Sequence, residues 1–323
     1  MVTGNKIVKS ALLVGCGSIG KRHLFNLLKR DTIEKLYIVT KNEHCLDGLQ
    51  KSDKIIVRES FEGIRADMAV IANETQKHMV TAIQLASAGM HLFIEKPLSH
   101  TLKDFDKLQT LVEKNNLKVF VAYNLRFLKA LQSVREIIVS KAIGDPYFAK
   151  IEAGQYLPTW RPERDYRETY SASREKGGGV ALDLSHEIDY MRYLFGDPCT
   201  WNVCKARVSK LQIDTDDVFE GTYLFPNQFI CTIHLDYLQK QKTRTLRIVG
   251  SEGTVVCDFI GKRILVTANN MVTEITDQGL FDISRTYQDE MDHFITAVET
   301  GRELMITLND GKKINELIEN WNV

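Results

Sequence analysis

Three groups of residues have types and spacings that suit chemistry. The first is Gly15-Cys16-Gly17-Ser18-Ile19-Gly20, a GxGxxG run after the apolar stretch 10–14 and before a helical pattern. In such a loop the first glycine permits a tight turn, the second lets backbone approach a pyrophosphate, and the third lets helix pack on strand. The helix N-terminus adds unpaired N–H groups and a positive dipole end. Dinucleotide binding is the chemistry implied, with a methyl-donor site as the alternative that similar glycine loops allow. An acid about 20 residues further on usually holds the ribose diol. Here the second strand ends Ile38-Val39-Thr40-Lys41-Asn42. A hydroxyl followed by a cation suits a 2′-phosphate, so NADP is slightly favoured over NAD; the alternative is that Lys41 is a solvated loop lysine.

The second group, Glu95-Lys96-Pro97, closes the apolar run 91–95. It sets a lysine at the carboxyl end of a strand, where open α/β sheets bind ligands, and proline stiffens the backbone that aims it. Taken alone, such a lysine is more often a surface charge. The third group runs from Gly177-Gly178-Gly179 through Asp183 and His186 to Asp189. A single helix over 180–195 buries Val180, Leu184, Ile188, Met191 and Phe195 and puts Asp183, His186, Glu187 and Tyr190 on another face. Asp183 and His186 then point together at one bound molecule, unless this is an ordinary polar helix face.

The segment 157–179 between these groups lacks strong periodicity, and structureless stretches of that length are usually functional or disordered. Trp160, Tyr166 and Tyr170 offer flat faces for a sugar or base, while Arg161, Arg164 and Arg167 suit a phosphate or carboxylate. The alternative is an exposed linker whose arginines pair with Glu163, Asp165 and Glu168.

Regular elements must hold these groups in place. Apolar strands at 10–14, 36–40, 68–72, 91–95 and 118–122 alternate with helical patterns at 21–29, 78–88 and 103–115. That alternation predicts a parallel sheet covered on both faces. From about residue 147 the texture changes. Strands rich in Val, Ile, Thr and aromatics are expected at 147–156, 200–208, 217–225, 229–237, 244–249, 254–259 and 264–266. Turn signals such as Pro226-Asn227 separate them, which predicts an antiparallel sheet. Helices at 287–300 and 310–321 close the chain, and the domain boundary is expected between Tyr123 and Gly144.

Composition narrows the function further. Lys plus Arg and Asp plus Glu each number 42, so the chain lacks the basic surplus of a nucleic-acid or anionic-membrane binder. Its apolar runs are too short to span a bilayer, and residues 1–10 do not read as a signal peptide. The six cysteines show no CxxC pair, and no HExxH is present, so no metal site is expected. They are expected to be free thiols in a reducing cytoplasm.

Taken together, these motifs resemble the GFO/IDH/MocA oxidoreductases, the family of glucose–fructose oxidoreductase and inositol dehydrogenase. The carriers are the GxGxxG loop, Glu95-Lys96-Pro97, and the glycine-rich lead-in to Asp183 and His186. Supporting stretches are Asn73-Glu74-Thr75-Gln76-Lys77-His78, Ala88-Gly89-Met90-His91, Tyr123-Asn124-Leu125-Arg126-Phe127 and Gly250-Ser251-Glu252-Gly253-Thr254. The resemblance spans nearly the whole chain. It implies an α/β fold with an N-terminal Rossmann domain, a doubly wound parallel sheet, over 1–125. A C-terminal α+β domain with an open, mostly antiparallel sheet follows over 126–323.

The resemblance also implies roles. Lys96 and His186 serve as acid and base, and Asp183 orients substrate or histidine. Many members space the aspartate and histidine four apart; here they are three apart, and Asp189 is a candidate for the supporting role. Implied cofactor contacts are Gly15, Gly17, Ser18, Ile19, Gly20, Arg22, Thr40, Lys41, Asn73, Thr75, His78, Glu95 and Lys96. Implied substrate contacts are Lys96, Tyr123, Arg126, Trp160, Arg161, Tyr166, Arg167, Asp183 and His186. The function expected is NAD(P)-dependent hydride transfer to or from a sugar, sugar acid or nucleotide sugar, with a likeness to surface-glycan biosynthesis members. A redox-neutral NAD enzyme acting on glycosides and a non-catalytic NAD(P)-binding regulator are the alternatives. Retention of Lys96, Asp183 and His186 together counts against the regulator. An open sheet face needs cover, so a homodimer or homotetramer is expected.

Overall fold

The computed structural model describes residues 7–48 and 52–319. The first six residues and Trp321, the expected end of the last helix, lie outside the described residues. The chain opens with β1 (Ser10–Val14), α1 (Ser18–Leu28), β2 (Lys35–Val39), β3 (Ile55–Arg58) and β4 (Met68–Ile71). Next come α2 (His78–Ser87), β5 (His91–Glu95), α3 (Phe105–Lys114), β6 (Val119–Ala122) and α4 (Lys129–Val139). After β7 (Pro146–Gly154) lie two short helices, α5 (Val180–Asp183) and α6 (His186–Phe195). The strands β8 (Thr200–Ala206), β9 (Val218–Leu224), β10 (Ile230–Asp236) and β11 (Thr243–Gly250) follow. The chain continues through β12 (Gly253–Asp258), β13 (Arg263–Ala268), β14 (Met271–Ile275), α7 (Ile283–Thr300) and α8 (Leu308–Leu317).

The structure divides into two compact units. One gathers the chain up to Tyr123 together with Tyr287–Lys312; the other takes Asn124–Thr286 and the residues from Lys313 onward. In the first, six parallel strands lie in the order β3-β2-β1-β4-β5-β6. Every residue of β4 and β6 is buried, and all but the first residue of β1 and β5. Strands packed on both faces must be apolar throughout, which is why they stand out in the sequence. The strand order reverses between β1 and β4, so the turns leaving β1, β4 and β5 border the crevice where such sheets bind ligands. A cluster of Phe93, Phe120 and Phe294 fills the centre, with ring centroids 5.2–6.2 Å apart.

The second unit is built on eight strands in the order β14-β13-β12-β11-β7-β10-β9-β8. Every pairing is antiparallel except β7 with β10, so the sheet is mixed. β9 and β10 alternate buried and accessible positions, which marks one covered and one open face. On the open face Leu224, Ile230 and Phe148 are cross-strand neighbours with 37–42% exposure.

Four elements depart from expectation. β3 and β14 are edge strands with mostly accessible residues, too weakly patterned to stand out. α4 occupies the segment where only a boundary was expected, burying Ala130, Leu131 and Val134. The single helix expected over 180–195 is two helices. Leu184 leaves helical geometry at φ −101° and ψ 27°, and Ser185 N–H donates to the Leu182 carbonyl at 3.4 Å. Asp183 thus ends α5 and His186 begins α6, so they do not share one continuous helix face. Among the described residues, no helix is long and apolar enough to cross a membrane.

Candidate active site

The glycine loop leaves β1 under tight constraints. Gly15 has φ +89°, and a Cβ there would lie 2.5 Å from the Ala72 carbonyl oxygen. A Cβ on Gly20 would lie 2.2 Å from the Gly15 carbonyl oxygen, so only glycine lets α1 pack this close to the loop. At Gly17 a Cβ would meet nothing within 4 Å. The loop is therefore packed behind and open at its middle glycine. No side chain caps the first turn of α1, which Ser18 and Ile19 begin, leaving its amides for an anion. These features fit a dinucleotide pyrophosphate. Arg22 lies over the Tyr287 ring, 4.4 Å from its centroid.

The turn after β2 folds onto this loop. Asn42 donates to the Cys16 carbonyl at 2.7 Å and from its backbone N–H to Thr40 Oγ1 at 3.0 Å, while Lys41 is exposed. Residues 40–42, where an acid that holds a ribose diol is usual, include none. Cys16 and Cys45 form a disulfide across this turn. That corrects the expectation of six free thiols; Cys199, Cys204, Cys231 and Cys257 are free. The pairing was hidden because residues 29 positions apart meet only once β1 and β2 pair.

At the ends of β4 and β5, Asn73 donates to Thr81 Oγ1 at 3.0 Å, and Thr75 is buried. Both ring nitrogens of buried His78 sit 3.0 Å from backbone carbonyls, those of Pro97 and Asn73. Burial lowers its pKa, against the two carbonyls, which raise it. His78 braces the turn that follows Lys96. Lys96 is half-buried, its bond to Pro97 is cis, and its N–H donates to Glu95 Oε2 at 3.2 Å. The Glu95 side chain turns inward to His23, 2.5 Å away. Tyr123, at the end of this unit, is fully buried.

In the second unit, glycines let the lead-in to α5 pack against its neighbours. A Cβ on Gly178 would lie 2.1 Å from the Tyr170 carbonyl oxygen, and one on Gly179 (φ +120°) 2.5 Å from Asp216 Oδ1. Asp216 in turn accepts from Ala181 N–H at 3.1 Å. Buried Asp183 accepts from the Tyr237 hydroxyl at 2.6 Å. Its charge, with burial, raises the Tyr170 pKa far above the ordinary range, so Tyr170 is a neutral phenol. Neither tyrosine's link to Asp183 was legible, because a buried aromatic has the same pattern whatever its hydroxyl meets.

His186, half-buried, opens α6. The acids after it pair with arginines. Glu187 accepts from Arg244 at 2.7 and 3.3 Å, and Asp189 accepts three bonds from buried Arg126 at 2.8–3.1 Å. Arg126 and Asp189 thus form a buried ion pair. In segment 157–179 three short 3₁₀ turns replace the structureless run. Trp160, Arg161 and Tyr166 line one small cleft of about 10 Å³ with Leu157, Thr169 and Ser171. Arg167 is absent from that lining. It pairs with Asp165 at 2.8–2.9 Å and reaches Gln212 at 3.0 Å, as the linker alternative foresaw.

Two family models account for most of the chain. The NAD-binding Rossmann-fold model of the oxidoreductase family matches residues 9–123, and the GFO/IDH/MocA C-terminal domain matches residues 131–256. The chain belongs to the GFO/IDH/MocA oxidoreductase family. It is similar to myo-inositol 2-dehydrogenase of Thermotoga maritima, at 24% identity over 318 residues, covering 93% of this chain and 91% of the relative. It is also similar to 1,5-anhydro-D-fructose reductase of Ensifer adhaerens, at 25% identity, covering 76% and 73%. The fold matches a solved structure of the WlbA dehydrogenase from Bordetella pertussis in complex with NADH and UDP-GlcNAcA. There the TM-score is 0.81 at 19% identity, covering 96% of this chain and 93% of the other.

In this GFO/IDH/MocA member the disulfide fastens the glycine loop to the turn after β2. Thiol labelling of the denatured, unreduced protein is expected to block Cys16 and Cys45 and modify the other four cysteines. The linked peptide is expected to vanish in Cys45→Ser. Closing a loop of this size is worth about 3–4 kcal/mol in the chain-entropy account, so Cys45→Ser should lower the urea midpoint. Labelling of all six cysteines without reductant would refute the bond.

Proposed function

We propose that the protein is an NAD(P)-dependent dehydrogenase or reductase acting on a hydroxyl- or keto-bearing carbon of a sugar, sugar acid or nucleotide sugar. The observation that carries this is Lys96 at the carboxyl end of β5, with its amide held by Glu95 and the following turn braced by His78. When bound, the nicotinamide supplies the hydride acceptor or donor. Gly15, Gly17, Gly20 and the amides of Ser18 and Ile19 hold the pyrophosphate, and Thr40 and Lys41 receive the adenosine end. Lys96 takes or returns the substrate hydroxyl proton, and His186 shares it. Asp183, held between the Tyr170 and Tyr237 phenols, orients the substrate. A lysine desolvated beside a cationic nicotinamide has a lowered pKa, as a base near neutrality requires. Trp160 and Tyr166 supply flat faces and Arg161 a cation for a sugar carrying a negative group. The relatives named for myo-inositol and 1,5-anhydro-D-fructose support a polyhydroxylated substrate.

The test is nicotinamide absorbance against a panel of sugars, sugar acids and nucleotide sugars with NAD and with NADP. Turnover in the wild type and its loss in Lys96→Met, with dinucleotide affinity retained, is the expected outcome. Cofactor binding without turnover on any candidate would overturn it.

Thr40 and Lys41, where an acid is usual at the end of β2, support NADP over NAD. Lys41→Ala is expected to weaken NADP about tenfold, as loss of a charge-assisted bond does, and to leave NAD affinity unchanged. Equal affinities for both cofactors in the wild type would refute this preference.

We also propose that a second copy covers the open sheet face at Phe148, Leu224 and Ile230. Light scattering is expected to give a dimer or tetramer, and Phe148→Asp to dissociate it. A wild-type monomer would refute that interface.

A further inference from the structure

The Cys16–Cys45 disulfide joins the two segments that a dinucleotide would bridge. Cys16 is the residue between the first two glycines of the loop after β1, and Cys45 lies in a single 3₁₀ turn, Glu43–Leu46, after β2. β1 and β2 are paired along all five of their residues, so the sheet holds these strands together without the bond. The chain is long enough to bury its own core, and four of its six cysteines stay free, two of them exposed, which is unlike a disulfide framework. What the bond restrains is the segment 40–47.

The other ties between that segment and the loop are polar and lie near the surface. Asn42 donates from Nδ2 to the Cys16 carbonyl at 2.7 Å and accepts from the His44 N–H at 3.1 Å, and Lys21 Nζ donates to the Asp47 carbonyl at 3.0 Å. Asn42 and Asp47 are exposed, and a hydrogen bond open to water is weak. The disulfide is therefore the strong tie. With it closed, the phosphate site is ready: a Cβ at Gly17 would meet nothing within 4 Å, and no side chain caps α1. With it open, the segment 40–47 gains freedom that a dinucleotide must take away on binding.

We propose that Cys16–Cys45 is a reversible modification site at which thiol–disulfide exchange sets dinucleotide affinity: oxidised, the loop and the turn after β2 are pre-arranged to bind, and reduced by a dithiol, they bind weakly. The inference rests on the dinucleotide reading above. In the exchange a thiolate of the dithiol attacks Cys45 Sγ, a mixed disulfide forms, and Cys16 leaves as a thiolate and takes up a proton. The second thiol of the dithiol then attacks the mixed disulfide and releases Cys45 as a thiol. The protein gains two electrons and two protons, the dithiol becomes a disulfide, and the reverse reaction consumes a disulfide of the same kind. Cys16 is the better leaving group, because it directly precedes Gly17, the N-cap of α1, where the positive end of the helix favours a thiolate. Both cysteines are only 1% exposed, so the attack needs the turn to lift. A dinucleotide spanning loop and turn holds it down. By linkage, the factor that reduction takes from dinucleotide affinity is the factor by which bound dinucleotide stabilises the disulfide.

Calorimetric titration of the whole chain with NADP and with NAD, before and after reduction by dithiothreitol, tests this without any turnover. Reduction is expected to weaken the more tightly bound dinucleotide about tenfold, the cost of ordering roughly one freed residue. Reoxidation by glutathione disulfide is expected to restore the affinity. Cys45→Ser is expected to bind like the reduced wild type under both conditions, and Cys199→Ser/Cys204→Ser to respond as the wild type does. The same dinucleotide at saturation is expected to slow reduction of the bond, read by thiol labelling, about tenfold. A bond that only stabilises the fold would leave affinity alone. Equal affinity of the oxidised and reduced protein therefore overturns the proposal, as does reduction that no dinucleotide slows, or a Cys199→Ser/Cys204→Ser protein that no longer responds. Binding indifferent to reduction overturns this inference alone, whereas binding in neither state overturns the dinucleotide reading with it. Should Cys45→Ser not fold, the wild type taken through reduction and reoxidation still decides.

Discussion

A strand packed on both faces has no side on which to keep a polar group. β4 and β6 are buried along their whole length, and β1 and β5 from their second residues on, so chemistry in the first unit is confined to the turns at their carboxyl ends. The Gly15 turn follows β1, Asn73 follows β4, and Lys96 follows β5. Among β1, β4, β5 and β6, Glu95 is the one residue with a carboxyl group. Both of its oxygens are engaged, one by an imidazole and one by the next residue's amide. The aromatic packing around Phe93 keeps water out, and dryness makes each of those bonds costly to lose.

The second unit follows a different rule, of local pairing. Three acids within seven residues, Asp183, Glu187 and Asp189, are buried, and each has its own partner: Tyr237, Arg244 and Arg126. Breaking a buried pair leaves an uncompensated charge, so such pairs specify one arrangement of α5 and α6 more than they add stability. The interruption at Leu184 belongs to that arrangement. It gives Asp183 and His186 separate helices, and hence separate anchors.

What the sequence made legible follows from these two rules. Continuous apolar strands announce themselves, and the expected span 91–95 coincides with β5. The glycine loop was equally plain, because its constraints act within six residues. Partnerships between distant residues were not. Arg126 and Asp189 are 63 positions apart, and from the sequence each looked like a residue for ligand or catalyst. His78 carries no mark that its ring faces two carbonyls. Edge strands β3 and β14 failed for the opposite reason: having little to bury, they lack a pattern.

The path of the chain through the two units has its own consequence. The chain leaves the cofactor-binding unit after Tyr123 and re-enters it at Tyr287. The second unit is, in topological terms, an insert. A fragment stopping at Tyr123 would lack Phe294 from its aromatic centre, Glu299 from the Val8 amide and Glu290 from beside Glu95. Exchange of the inserted unit for another by recombination therefore requires two crossovers in the gene, and the second must preserve α7, which completes the first unit.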